Sequence, residues 1–351
     1  MARRNPDPPI KDPILAVVNL APEPVEEELI KGGKPARDLA AGGSPSAGRT
    51  SIEEAKRHGP VGWLQLLGPG LITGASDDDP SGIGTYSQVG SQFGFGLLWT
   101  ALFTFPLMSA VQELCARIAL QTGVGLGVSL RRKFPTWLVG IAILGLLIAN
   151  TFNIGADLGA VAAGGQLLSK GILPALWLVV PVALLIIAMQ LFVSYATIFK
   201  IFKWLTQALF AYVITAFFAH PPLFEVVKST LIPHVELSKD FLMALVAVLG
   251  TTISPYLFFW QASSEVDELI AAGDTKPVKS RSGLRNSELK AARADIMIGM
   301  AFSNLVMYFI ILTSAAVLHA HGKTGIQTAE QAAAALAPLA GPFAFTCSRW
   351  A

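Results

Sequence analysis

Residues 61–90 read VGWLQLLGPGLITGASDDDPSGIGTYSQVG, an apolar stretch that three consecutive aspartates and a proline interrupt. The 16 residues before the aspartates form a helix of about 24 Å, too short for a hydrocarbon core of about 30 Å. Pro80 removes a backbone donor and Gly82 is a poor helix former. A helix broken at membrane depth persists where its freed backbone groups line a cavity or hold a ligand. The stretch therefore predicts a membrane span with a functional break.

A second apolar stretch has the same design. Residues 241–262 read FLMALVAVLGTTISPYLFFWQA, and their apolar first half ends at Ser254 and Pro255. For Pro255 alone, a simple kink and a functional break are both open. The two interrupted stretches are the first and the sixth in the chain. Interrupted spans at matching positions of two halves are typical of transporters built from inverted repeats, with the binding site near the middle of the membrane.

Further apolar stretches long enough to span a bilayer occur along the chain. They cover residues 95–121, 137–168, 173–198, 204–219 and 296–318, and an eighth begins near residue 329. We therefore predict an all-α polytopic membrane domain over residues 59–351, with about seven full spans and a partial eighth. Residues 1–58 are polar and rich in proline, glycine and charge, so we predict a disordered tail there.

The composition excludes several classes of protein. Hydrophobic residues make up 52% of the chain and charged residues 14%, whereas soluble domains carry about 25% charge. This is the composition of a protein whose main partner is the lipid bilayer, and it speaks against a soluble enzyme. The net charge of +2 gives no reason to expect nucleic-acid binding. We expect a monomer without a bound cofactor.

Lysine and arginine predict the orientation in the membrane. The loops at 131–133, 200–203 and 265–295 together hold 11 of these residues, whereas the connections on the opposite side hold four. Basic residues concentrate on the cytoplasmic side. We therefore predict a multi-pass protein of the cell membrane whose N-terminal tail is cytoplasmic.

The two breaks have the chemistry of a cation site. The first half of each interrupted helix ends in carbonyl groups without an intrahelical partner, near Ser76 and near Thr251, and these carry the negative end of the helix dipole. The carboxylate of Asp79 and the hydroxyls of Thr251 and Ser254 complete a set made of oxygen atoms. Such a set suits a hard cation, and an acid at membrane depth is a functional-site hypothesis.

Other polar residues near the breaks have two interpretations each. Asp77 and Asp78 either cap the second half of the first span or line a vestibule, and Asp157 in the third span is either a polar strut or part of an ion route. Together with Tyr256 they are our candidates for a secondary ion route.

The segments GPGLITGASDDDPSGIGTYSQ and LGTTISPYLFFWQASSEVDE resemble the Nramp divalent-metal transporters, in particular the Nramp-related magnesium transporters. The resemblance runs from about residue 60 to 345. It implies a leucine-transporter-like fold, in which ten core helices form two inverted repeats of five and helices one and six are discontinuous. On that expectation the chain is truncated in the second repeat, which leaves an inactive family member as an alternative.

The resemblance also implies roles for residues at the breaks. The common Nramp pattern Asp-Pro-Gly-Asn becomes Asp79-Pro80-Ser81-Gly82, and Met-Pro-His becomes Ser254-Pro255-Tyr256. By direct match, Asp79 is the ion-binding carboxylate, and Thr251 and Ser76 supply backbone carbonyls. Gly82 and Ser254 stand at ligand positions without the usual ligand atoms.

These departures point to a particular ion. Loss of the thioether and of the asparagine enlarges an all-oxygen site, which suits partly hydrated Mg²⁺ and tolerates Mn²⁺. In the third helix the family's Asp-x-x-Glu becomes Asp157 followed by Ala160, so titratable groups are lost and transport is predicted not to be proton-coupled. The alternatives are a proton-coupled Mn²⁺/Fe²⁺ transporter, a structural or receptor role and, distantly, a Mg²⁺-dependent intramembrane prenyl-transferring enzyme, which would need a second aspartate-rich motif.

Overall fold

The computed structural model describes residues 73–74, 76–169, 172–193, 210–271, 286–326 and 331–332, and within them the regular structure is helical throughout. The helices are α1 (Pro80–Phe93), α2 (Thr100–Thr122), α3 (Leu126–Lys133), α4 (Thr136–Leu168), α5 (Ala175–Phe192), α6 (Phe210–Phe218), α7 (Leu223–Leu231), α8 (Lys239–Thr252), α9 (Pro255–Ala271) and α10 (Asn286–Thr313). The all-α prediction is confirmed. The predicted tail, and most of the stretch that begins near residue 329, lie outside the described residues.

Several of these helices can cross a membrane. By length and hydropathy, three described segments qualify: α4, the continuous stretch of α8 and α9, and α10 with the turns that follow it. Helices α1 and α2 are separated by a short break, and their axes differ by 110°. If the two are counted together, they form a fourth span. Helix α5 is apolar and shorter. The sequence predicts α1 and α2 in two separate spans, and this stays a prediction, because the bent pair is a single span only if the two helices are counted together.

The first span breaks where the sequence predicts. Residues 73, 74, 76 and 77 are helical, Asp78 and Asp79 are not, and α1 begins at Pro80. Asp79 has extended backbone angles and caps α1 by accepting a hydrogen bond from the Gly82 amide. Proline suits the first helical position because its missing N–H would have had no partner there. The proline thus starts the second half of the span.

The break in the sixth apolar stretch is more local. Helix α8 ends at Thr252, α9 begins at Pro255, and Ile253 and Ser254 between them are not helical. Nevertheless α8 and α9 together form one apolar segment of 29 residues. Pro255 therefore interrupts the helical hydrogen bonds without dividing the span into two strongly inclined parts.

Helix α1 is held in the core by close packing against α8 and α10. A methyl group on Gly90 would overlap the carbonyl oxygen of Ile311, so the α1 and α10 backbones touch there. Tyr86 is fully buried, and its hydroxyl lies 3.1 Å from Thr252 Oγ1 at the end of α8. The contact between Tyr86 and Thr252 places α1 beside the end of α8, where the second break begins. Helix α4, whose outer face exposes many large apolar side chains, reaches the first break with two polar residues described below.

Candidate cation site at the helix breaks

Asp79 is the centre of the polar contacts at the first break. Its Oδ1 accepts hydrogen bonds from the Gly82 amide and from Ser81 Oγ, both at 2.7 Å. Its Oδ2 accepts from Asn153 Nδ2 at 3.0 Å and from the Tyr256 hydroxyl at 3.2 Å. Donors on α1, α4 and α9 thus orient one carboxylate. Tyr256, predicted on a secondary ion route, lies in direct contact with Asp79.

Asp157 joins this site through α4. Its Oδ1 accepts a hydrogen bond from the Ser81 amide at 3.2 Å, and its Oδ2 accepts from Asn153 Nδ2 at 3.3 Å. One asparagine amide therefore lies between the carboxylates of Asp79 and Asp157. Sequence reasoning missed Asn153 and Ser81. A signal was available for Asn153, because it lies one helical turn before Asp157 and so shares its face of α4.

Gly82 borders a space that is lined by oxygen atoms. A methyl group on Gly82 would lie 3.3 Å from Asp79 Oδ1, 3.4 Å from the carbonyl oxygen of Asp77 and 3.5 Å from Thr251 Oγ1. A carboxylate, a carbonyl and a hydroxyl from both breaks therefore surround the position at which the common family pattern has an asparagine side chain. In this chain that side chain is missing, so no side chain occupies this position beside Asp79.

Ser254 and Ser76 have different surroundings. Ser254 is buried, and its hydroxyl donates to the Thr251 carbonyl at 2.7 Å, so it satisfies the end of α8. Ser76 is exposed on the helical turn before the break. The carbonyl that the structure places next to Gly82 belongs to Asp77, one residue later. A role of the Ser76 carbonyl as a ligand stays a prediction.

Asp77 and Asp78 share none of the hydrogen-bond donors that contact Asp79. Asp77 is completely buried, and its Oδ2 accepts a 2.6 Å hydrogen bond from Ser303 Oγ on α10. Asp78 is 6% exposed, and neither of its carboxyl oxygens has a hydrogen-bond partner. The interpretation of these two residues as helix caps was wrong, because Asp79 alone occupies the cap position of α1.

A second polar chain links the segment before the first break to α9. Thr73 Oγ1 donates to Gln261 Oε1 at 2.8 Å, and Gln261 Nε2 donates to Glu265 Oε1 at 2.9 Å. Gln261 and Glu265 are both fully buried. Within the described part of the chain, no three His, Cys, Asp or Glu side chains form a metal-binding group. A cation at the breaks would therefore rely on few carboxylates and on hydroxyl, amide and carbonyl oxygens.

The chain is similar to known proteins both in sequence and in fold. The sequence model of one family, described as "Natural resistance-associated macrophage protein-like" (Nramp), matches residues 70–348. The "Divalent metal cation transporter MntH" of Erwinia tasmaniensis is 26% identical over 307 residues, which cover 83% of this chain and 68% of the relative. The protein of the same name from Klebsiella pneumoniae is 27% identical over 277 residues, covering 79% of this chain and 64% of the relative.

A solved structure shares the fold. The crystal structure of the Eremococcus coleocola manganese transporter, in complex with an aromatic bis-isothiourea compound, superposes with a TM-score of 0.62 at 20% sequence identity. The match covers 83% of this chain and 63% of the transporter. The chain thus spans about two thirds of the length of the curated relatives and somewhat less of the solved one.

Proposed function

The chain belongs to the Nramp family, and from this membership we propose that it carries divalent metal cations across a membrane. It is a multi-pass membrane protein of a transporter family, which excludes the enzyme alternatives. The family's inverted-repeat architecture and a cytoplasmic N-terminus are part of the proposal.

One observation carries it. At the place where the first span loses its helical hydrogen bonds, Asp79 Oδ1, the Asp77 carbonyl and Thr251 Oγ1 all border the position that a methyl group on Gly82 would take. Each oxygen carries negative charge or the negative end of a dipole, and the hydroxyl belongs to the other broken helix. A hard divalent cation is the ligand that such a set attracts.

The choice of ion rests on two different supports. The solved relative is a manganese transporter by its title, and this favours Mn²⁺ as the first ion to test. The residues of this chain favour Mg²⁺ as the second ion to test, because Gly82 and Ser254 supply neither a side-chain amide nor a thioether. A site without those two side chains leaves Mg²⁺ more space to keep the waters that it releases reluctantly.

The proposal also includes transport without proton coupling. Tyr256 and Ala160 stand where the common pattern has titratable side chains, and this supports transport without coupled proton movement. The retained Asp157, joined to Asp79 through Asn153, supports the Nramp-type alternative in which a proton accompanies Mn²⁺ or Fe²⁺. Internal pH measured in proteoliposomes during metal uptake separates the two, because acidification would reject the uncoupled form.

The proposal is tested by removal of Asp79. A carboxylate about 4 Å from a divalent ion is worth roughly 8 kcal/mol at an effective dielectric constant near 20, before desolvation. We expect Asp79→Ala to abolish Mn²⁺ and Mg²⁺ binding by the purified chain in calorimetry, and uptake after reconstitution. The control is Asp240→Ala, which removes an exposed aspartate from the first turn of α8. Undiminished binding in Asp79→Ala would place the ion elsewhere.

A further inference from the structure

We infer that Asn153 is a ligand of the transported cation and that its side-chain amide rotates by about 180° when the ion binds, which exchanges its oxygen and its nitrogen. The inference rests on the proposed function and adds a residue on α4 to the ion site. Its basis is the position of one amide nitrogen, which lies 3.0 Å from Asp79 Oδ2 and 3.3 Å from Asp157 Oδ2.

The preferred orientation of an amide between two carboxylates depends on whether a cation is bound there. Without a cation it must present its NH₂ group, since an oxygen there would face two further acceptors. With a divalent cation bound by the Asp79 carboxylate, the NH₂ group would face a positive charge and the oxygen becomes the favourable end. The torsion that exchanges the two ends is the soft terminal torsion of asparagine, and the two ends have nearly the same size and shape.

The contacts of Ser81 favour the turned orientation. Ser81 Oγ lies 2.7 Å from Asp79 Oδ1 and 2.8 Å from Asn153 Oδ1. Both partners are acceptors, and a hydroxyl has a single proton to donate. After the amide turns, Ser81 donates to Asp79 and accepts from Asn153 Nδ2, so both short contacts become satisfied. The Ser81 hydroxyl is thus already in the position that the ion-bound orientation of Asn153 requires.

The turned amide also makes up for a missing group. The common family pattern has an asparagine where this chain has Gly82, and that position lies beside Asp79 Oδ1. Asn153 approaches the other oxygen of the same carboxylate from α4. An amide oxygen at the site is therefore supplied from a different helix, and it is a hard, neutral ligand of the kind that Mg²⁺ and Mn²⁺ accept.

Two substitutions distinguish a ligand from a hydrogen-bond donor that only positions Asp79. Asn153→Leu has neither an oxygen nor an N–H, whereas Asn153→Asp keeps the oxygen and loses the donor. Calorimetry of the purified 351-residue chain with Mn²⁺ and with Mg²⁺ measures both. If Asn153 is a ligand, the leucine variant binds at least tenfold more weakly and the aspartate variant binds as tightly as the unsubstituted chain or more tightly. The matched control is Asn150→Ala, one turn earlier on α4, which should leave binding unchanged.

Each other result has a defined meaning. Weak binding in both the leucine and the aspartate variants would show that donation to the carboxylates is what matters, and would overturn the ligand role. Unchanged binding in Asn153→Leu would overturn the inference and leave the proposed function intact. If the unsubstituted chain binds neither ion, the proposed function fails together with this inference. Should the leucine variant elute as aggregate, Asn153→Ala takes its place and the comparison with Asn153→Asp decides.

Discussion

We predict that Gly82 determines how much space a cation has beside Asp79. The space next to its Cα is bordered by oxygens of Asp79, Asp77 and Thr251, so a side chain added there occupies the volume of an ion or of its water. We expect Gly82→Asn to weaken Mg²⁺ binding more than Mn²⁺ binding, because Mg²⁺ retains more of its waters. Calorimetry with both ions measures the change, and Gly82→Ala, whose methyl group adds no ligand, is the control. An equal loss of affinity for both ions would contradict the hypothesis that the added side chain displaces water from Mg²⁺.

A substitution at Ser254 is a second test of the preference between Mn²⁺ and Mg²⁺. Its hydroxyl donates to the Thr251 carbonyl at 2.7 Å, so a replacement both frees that carbonyl and alters the ligand set. We expect Ser254→Met to raise the ratio of Mn²⁺ to Mg²⁺ affinity, because a thioether is a softer ligand and displaces water. Ser254→Ala removes the same hydroxyl without adding sulfur and is the control. If both variants show the same ratio, the thioether has no effect at this position.

Asp77 illustrates a side chain whose role is set by its partner. It is fully buried and accepts a 2.6 Å hydrogen bond from Ser303. Removal of the acceptor leaves the buried serine hydroxyl unsatisfied, which costs about 1–3 kcal/mol. We therefore expect Asp77→Ala to lower the thermal unfolding temperature of the purified protein. Asp77→Asn, which keeps an acceptor oxygen, should lose less stability, and an equal loss would mean that the hydrogen bond to Ser303 is unimportant.

At the scale of elements, the short helical segment before the first break is held by α9 and α10. Thr73 bonds to Gln261 of α9, and Asp77 bonds to Ser303 of α10. Between these two contacts, the backbones of Gly74 and Gly299 touch, since a methyl group on Gly74 would overlap Gly299 backbone atoms. The segment has no space to shift toward α10, and its position determines where Asp79 lies.

This close approach gives a prediction for Gly74→Ala. The added methyl group must push the segment away from α10, and overpacking of this kind costs about 1–3 kcal/mol. We expect a lower unfolding temperature together with weaker Mn²⁺ binding, because Asp79 moves with the segment. Gly140→Ala on α4 is the matched control, since nothing lies within 4 Å of a methyl group there. Equal behaviour of the two variants would contradict the proposed close packing.

At the scale of the whole molecule, the distribution of basic residues predicts the orientation in the membrane. The basic end of α3, Arg131 to Lys133, and the exposed loop around Leu237 should lie on opposite sides, with α3 in the cytoplasm. In a background without Cys115 and Cys347, we expect a membrane-impermeant maleimide to label Leu237→Cys in intact cells. Lys133→Cys should react after the cells are opened. The reverse pattern would overturn the predicted orientation.

The helical architecture and the positions of both breaks follow from local sequence. Apolar stretches of bilayer length predict helices, and a proline next to small or acidic residues interrupts them wherever the segment packs. For that reason Pro80 and Pro255 begin α1 and α9 as predicted. The oxygen-rich character of the candidate site also follows, because it depends on which residue types stand at the two breaks.

Tertiary structure decided which hydrogen-bond partners each of the three aspartates has. Asp77, Asp78 and Asp79 carry the same side chain, and the only local signal that separates them is the position of Asp79 next to Pro80, where it caps α1. Helix α10 brings Ser303 to Asp77, while α4 brings Asn153 and its amide to Asp79. These partners are 226 and 74 residues away along the chain. Propensity and periodicity act over a few residues, whereas the hydrogen bonds that select one carboxylate arise when distant helices pack together.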